Sequence, residues 1–122
     1  MKRFPVAAAT LIVIALLAAC TTAAPTLDYQ GVRMVGGDAL ELTLTLQEPS
    51  STGIVRGTYY AGVARGTLRG ELEGETLTAV LQPKENCTFS FLGTLTDNRL
   101  TGAFEPLDCT DGEAGTWELT RL

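Results

Sequence analysis

The side chains that could do chemistry in this 122-residue chain are three cysteines, Cys20, Cys87 and Cys109, and fourteen carboxylates; there is no histidine. Without an imidazole the chain lacks the usual base of serine and cysteine nucleophile systems and the commonest transition-metal ligand. A metal site built on two thiols would need further soft or imidazole ligands that are not present. Paired carboxylates can carry acid and base steps. Here, however, Glu41, Glu71 and Glu118 fall on the polar side of alternating segments, the pattern of a solvated face. The densest acidic run, Glu105 to Glu113, holds Glu105, Asp108, Asp111 and Glu113 and could offer oxygens to calcium. Its spacing departs from the EF-hand order, and Pro106 and Cys109 fit a stapled loop. The expectation is a non-enzymatic chain with no catalytic residue, no cofactor and no metal.

Lys2 and Arg3 precede an apolar stretch from Val6 to Leu17, which ends in Leu17-Ala18-Ala19-Cys20. A basic start, an apolar segment of about a dozen residues and small residues before a cut site make a secretory signal peptide, too short to span a bilayer. Leu17-Ala18-Ala19-Cys20 also resembles the lipobox of bacterial lipoproteins. That resemblance implies that residues 1 to 19 are removed and that Cys20 becomes the new N-terminus, thioether-linked to diacylglycerol. The partner it implies is the membrane, reached through acyl chains on Cys20. Thr21 rather than aspartate follows the cysteine, which in a diderm organism resembles outer-membrane sorting.

Removal of the first 19 residues leaves 103, one modest domain. Seven basic side chains then face fourteen acidic ones, a balance of −7. Such a surface repels phosphate backbones and anionic headgroups, so nucleic acid is not an expected partner. In a compartment outside the cytoplasm, Cys87 and Cys109 have only each other to pair with. A disulfide across their 22-residue separation would stabilise the fold by roughly 3 kcal/mol on the chain-entropy model.

What must position these groups is a set of strands. Residues 20 to 26 read as the lipidated cysteine and a short tether, whose six residues after Cys20 reach about 20 Å at full extension. From Leu27 to the end, residues 27 to 122, the pattern has period two. Leu40, Leu42, Leu44 and Leu46 alternate with polar residues, and Ala64 to Leu72, Leu77 to Leu81, Cys87 to Leu95, Leu100 to Phe104 and Gly115 to Leu119 do the same. Eight strands are expected, over 27–34, 39–47, 53–61, 63–72, 75–82, 86–95, 98–105 and 114–121. Gly36-Gly37-Asp38, Glu73-Gly74 and Asp97-Asn98 are too short for crossovers, so sequence neighbours should be spatial neighbours. The predicted fold is all-β, a small antiparallel up-and-down barrel of about eight strands, with a two-sheet sandwich as the alternative.

A Gly-Thr-bulky triplet recurs at Gly57, Gly66, Gly93 and Gly115. Glycine on the inward face would relieve crowding in a tight barrel and let Phe89, Phe91, Phe104 and Trp117 interdigitate from opposite walls. Gly115-Thr116-Trp117 resembles the lipocalin signature, and the strand count is similar to lipocalin-type and avidin-type barrels. In lipocalins the motif opens the barrel, whereas here it lies in the last strand. The expected role is a lipid-anchored envelope lipoprotein acting as a binding or scaffolding module for another envelope protein. The alternatives are an inhibitor of a secreted hydrolase such as lysozyme or a protease, acting through Glu48–Thr52 or Glu105–Glu113, and a carrier of a small apolar ligand.

Overall fold

The computed structural model describes residues 25–84, 87–110 and 112–122, so the signal segment, Cys20 and most of the tether lie outside the described residues. Eight strands follow one another as β1 (Thr26–Val35), β2 (Asp38–Gln47), β3 (Ile54–Ala61), β4 (Ala64–Glu73), β5 (Thr76–Pro83), β6 (Phe89–Leu95), β7 (Arg99–Pro106) and β8 (Gly115–Arg121). Each pairs antiparallel with the next, and β8 pairs with β1 to close the barrel. The up-and-down barrel is the predicted fold, and the sandwich alternative is excluded by closure. Among the described residues no helix is long and apolar enough to cross a membrane.

Tight hairpins set the register. Gly36 and Gly37, at φ +57° and +91°, form the two-residue turn between paired Val35 and Asp38, a double positive φ that a β-carbon would oppose. Gly74, at φ +63°, opens the turn between Glu73 and Thr76. Asp97 and Asn98, expected to be able to take positive φ, do not, since among the described residues no non-glycine residue does. Their turn is held instead by Thr96, whose Oγ1 accepts from the Arg99 amide at 3.1 Å. Register then divides every strand into faces, because directly opposed residues point to the same side.

Among the described residues the inward set forms one core of seventeen buried side chains, all hydrophobic. Trp117 lies at its centre, 5.2 Å from the Tyr59 ring in an edge-on contact and 5.1 Å from Phe91. Phe89 packs edge-on against Phe104 at 5.5 Å. Phe89 itself is only half buried, at the margin of the core.

The glycine-aromatic relation differs from the expected one in an instructive way. The side chains that lie over inward glycines come from the same or the adjacent strand, not from the opposite wall. Phe91 covers Gly93 of its own strand and Gly102 of β7; Tyr59 reaches over its partner Gly66; Phe104 covers its partner Gly115. A β-carbon at Gly102 would stand 2.5 Å from Phe91 Cζ and 2.7 Å from Gly93 Cα, so the glycine makes the room in which the ring lies flat. Glycine beside a large ring makes room in a strongly curved barrel, and here it does so around Phe91 and Phe104, which are themselves directly opposed on β6 and β7. The four Gly-Thr-bulky triplets are this device repeated: glycine covered, threonine outside, bulky residue buried.

Truncating Trp117 to alanine removes the residue both aromatic partners rest on and should cost about 3 to 5 kcal/mol. Gly102→Val, by overpacking under Phe91, should cost about 1 to 3 kcal/mol. Urea unfolding of the two variants measures both, and a change below about 0.5 kcal/mol in either would contradict this packing.

Candidate functional site

The barrel has two unlike ends. At one end lie the start of β1, the loop from Glu48 to Gly53, the Gly74–Glu75 turn, the Thr96–Asn98 turn and Leu122. The far end carries the Gly36–Gly37 and Gly62–Val63 turns and the two long connections around Cys87 and Cys109. The two segments nominated as inhibitory loops therefore sit at opposite ends, and the fold does not bring them together. Glu48–Thr52 is the tighter of the two: Ser50 Oγ is 2.7 Å from Thr52 Oγ1, and the Ser50 carbonyl accepts from the Gly53 amide.

Cys87 and Cys109 are disulfide-bonded, with Cα atoms 5.4 Å apart. Cys87 lies in the connection before Phe89, not in a strand beginning at residue 86, because β6 starts only where pairing with β5 and β7 begins. Asp108 ties the same two connections together: its Oδ1 accepts from the Thr88 amide at 2.8 Å, and the Leu107 amide donates to the Thr88 carbonyl at 2.9 Å. Those hydrogen bonds from Thr88 hold the Asp108 carboxyl below the usual carboxylate range. Among the described residues, the donors that converge here are the two sulfurs and Asp108. The sulfurs are in a disulfide and so are not thiolate ligands, and the carboxylate already accepts an amide, so the acidic run acts as a staple.

Within the far half of the barrel lies a polar feature that sequence reading passed over. Arg33 of β1 is directly paired with Trp117 of β8 and so points inward, in register with Leu27, Tyr29 and Gly31. Its Nε is buried and has no hydrogen-bond partner among the described residues, and the same holds for Trp117 Nε1. Tyr59 shares this region: burial pushes its phenol up to about 12, and the nearby Arg33 charge opposes that rise. The signal was available in the period-two count along β1, where Arg33 falls in the inward series.

The outer wall holds the expected solvated carboxylates. Glu41 accepts from Gln30 Nε2 and Glu118 from Arg99 Nη2, both at 2.7 Å. Of the two adjacent tyrosines, Tyr59 is buried and Tyr60 is 52 % exposed. Surface depressions lie at the first end, about 550 Å³ between Leu27, Tyr29, Leu72, Leu95, Asp97 and Arg121, and along the outside of β4 and β5. Comparison with protein-family models, with curated proteins and with solved structures gives no match.

Two outcomes follow from the far-end geometry. Mass spectrometry without reduction should find neither Cys87 nor Cys109 alkylated, and Cys87→Ser with Cys109→Ser should lower the melting temperature by several degrees. The Tyr59 phenol keeps its proton to about 12 in the folded chain but loses it near 10 when unfolded. Its contribution is thus intact below pH 10 and lost as pH rises from 10 to 12, about 3 kcal/mol in all. Denaturant titrations across that window should show a shallower decline for Tyr59→Phe than for the wild type.

Proposed function

We propose that this chain is a lipid-anchored lipoprotein of a bacterial envelope whose barrel is a non-enzymatic binding or scaffolding module that works through its outer surface. The lipobox Leu17-Ala18-Ala19-Cys20 supports the anchor, and the observation that carries the rest is the packed interior. The core side chains around Trp117 are at most a few per cent exposed, and the space over the inward glycines is taken by their neighbours. A carrier of a small apolar molecule needs an apolar cavity in that place. What is left to work with is the wall and the two ends.

β1 starts six residues after Cys20, so the first end of the barrel would lie toward the membrane. Glu48, Glu75 and Asp97 rim that end and would disfavour close contact with anionic headgroups. The disulfide-stapled end then faces away from the lipid. In a diderm cell, Thr21 after the cysteine favours the outer membrane as the home of the anchor.

One observation favours inhibition of a secreted hydrolase as a second reading. The connection from Leu107 to Ala114 is held by the disulfide and by Asp108, projects from the end away from the tether and exposes 58 % of Leu107. A pre-organised, exposed loop of this kind is the form that inhibitory segments take, because little ordering is left to be done on binding.

Cys20→Ser tests the anchor directly. The variant should lose membrane fractionation while keeping the fold, and a variant that partitions with membranes as strongly as the wild type would overturn the lipoprotein reading.

A further inference from the structure

The seven basic side chains of the barrel are not spread over its acidic surface. Arg33 is inside, Arg99 is paired with Glu118 at 2.7 Å, and Arg121 lies at the first end beside Tyr29 and Asp97. The remaining four, Arg56, Arg65, Arg69 and Lys84, all stand outside on β3, β4 and the end of β5. Arg56 of β3 is directly opposite Arg69 of β4. Two pairs further along, exposed Tyr60 is opposite Arg65, and the Lys84 amide donates to the Arg65 carbonyl, which sets Lys84 beside it. Thr58 and Thr67 fill the pair between. From the Arg56–Arg69 pair to this end, the outward residues of β3, β4 and β5 include no carboxylate among the described residues. None of the four cations has a hydrogen-bonded or ionic side-chain partner among them either.

Like charges directly opposite on neighbouring strands are destabilising. On β4 the carboxylate of the same outward face, Glu71, is opposite Ile54 and not opposite Arg56. Shallow depressions of about 410 Å³ and 250 Å³ run along the outside of β4 and β5 on either side of Thr67 and Gln82, with Arg69 bordering the first and Arg65 and Lys84 the second. Because the barrel is closed, a partner cannot add a strand to an edge; recognition on this wall must use side chains.

Resting on the reading of the barrel as a surface-binding module, we infer that the outer wall of β3 and β4 binds an extended acidic peptide segment of a partner protein. The partner lies along β4, with its carboxylates on the Arg56–Arg69 pair and on Arg65 with Lys84. Arg65 and Arg69 are four strand residues apart, about 13 Å at roughly 3.3 Å per residue. Carboxylates four residues apart on an extended peptide have the same separation, since strand and ligand share the same rise. Arginine supplies the planar fork that meets carboxylate bidentately, and Tyr60 offers an exposed ring beside the second contact. Overall acidity of the barrel makes the contact local: its attraction acts within about a Debye length, roughly 8 Å at physiological ionic strength.

The test uses the full-length protein in detergent micelles and a fluorescent twelve-residue peptide with glutamates at every fourth position. A matched peptide with glutamine in their place is the control. Anisotropy should show binding of the glutamate peptide that weakens as salt is raised, and at least tenfold weaker binding of the glutamine peptide. Arg56→Ser with Arg69→Ser should weaken glutamate-peptide binding at least tenfold, while Arg99→Ser leaves it unchanged. Relief of the opposed charges should leave the double variant melting no lower than the wild type, so lost binding is not lost folding. Absence of binding, or equal binding by the double variant, overturns the inference. So does tighter binding of inorganic polyphosphate or an acidic polysaccharide of equal charge. Self-association in sedimentation that disappears in the double variant would identify a second copy of the chain as the occupant and equally overturn it. Cys20→Ser should bind the peptide as the wild type does, so failure of the anchor and failure of this site are read separately.

Discussion

The interior of a barrel of eight short strands is narrow, and every other feature of this protein follows from how that space is filled. Trp117 and Phe91 meet with ring centroids 5.1 Å apart, and Phe91 is also directly opposite Phe104 on the adjacent strand. They fit because Gly93 and Gly102 offer bare backbone for the Phe91 ring, and because Tyr59 leans over Gly66 to meet Trp117 from the other side. Inward glycines weaken strands when nothing covers them. In this barrel each covered glycine becomes part of the packing, and curvature and core are solved together.

A filled interior leaves the wall and the two ends as the accessible surfaces. Closure removes both sheet edges, which protects the chain from edge-to-edge pairing and also takes away the simplest way of recruiting a peptide. The ends and the wall remain, and they differ in character. One end has a carboxylate rim around an open depression, the other is cross-linked by Cys87–Cys109 and Asp108, and the wall of β3 and β4 gathers Arg56, Arg65 and Arg69. A net acidic chain can hold a basic face because net charge is a sum, whereas recognition depends on which groups share a few ångströms of surface.

The far end shows how one region can be stable and poorly satisfied at once. The disulfide and the Asp108–Thr88 contact hold its long connections, while just inside them Arg33 Nε and Trp117 Nε1 lie buried without hydrogen-bond partners among the described residues. Unsatisfied buried donors carry a cost of roughly 1 to 3 kcal/mol each. The packing of Trp117 against Tyr59 and Phe91 is the favourable contact made at the same place.

Period-two alternation was enough to determine the eight strands, their order and most of their inward residues, because in a meander with connections too short for crossovers nearest neighbours in sequence are nearest neighbours in space. The pairing of Cys87 with Cys109 was legible once the expected lipidation set Cys20 aside. Three things were decided only by the tertiary structure. Which side chain covers each glycine depends on register across strands, so Phe91 over Gly102 could not be read from either strand alone. That Arg33, inward by the period-two count along β1, meets Trp117 depends on the pairing of β1 with β8, a contact between the two termini of the barrel. Arg56 and Arg69 are separated by thirteen positions in the chain and look like scattered surface charges; only the β3–β4 hairpin register places them face to face.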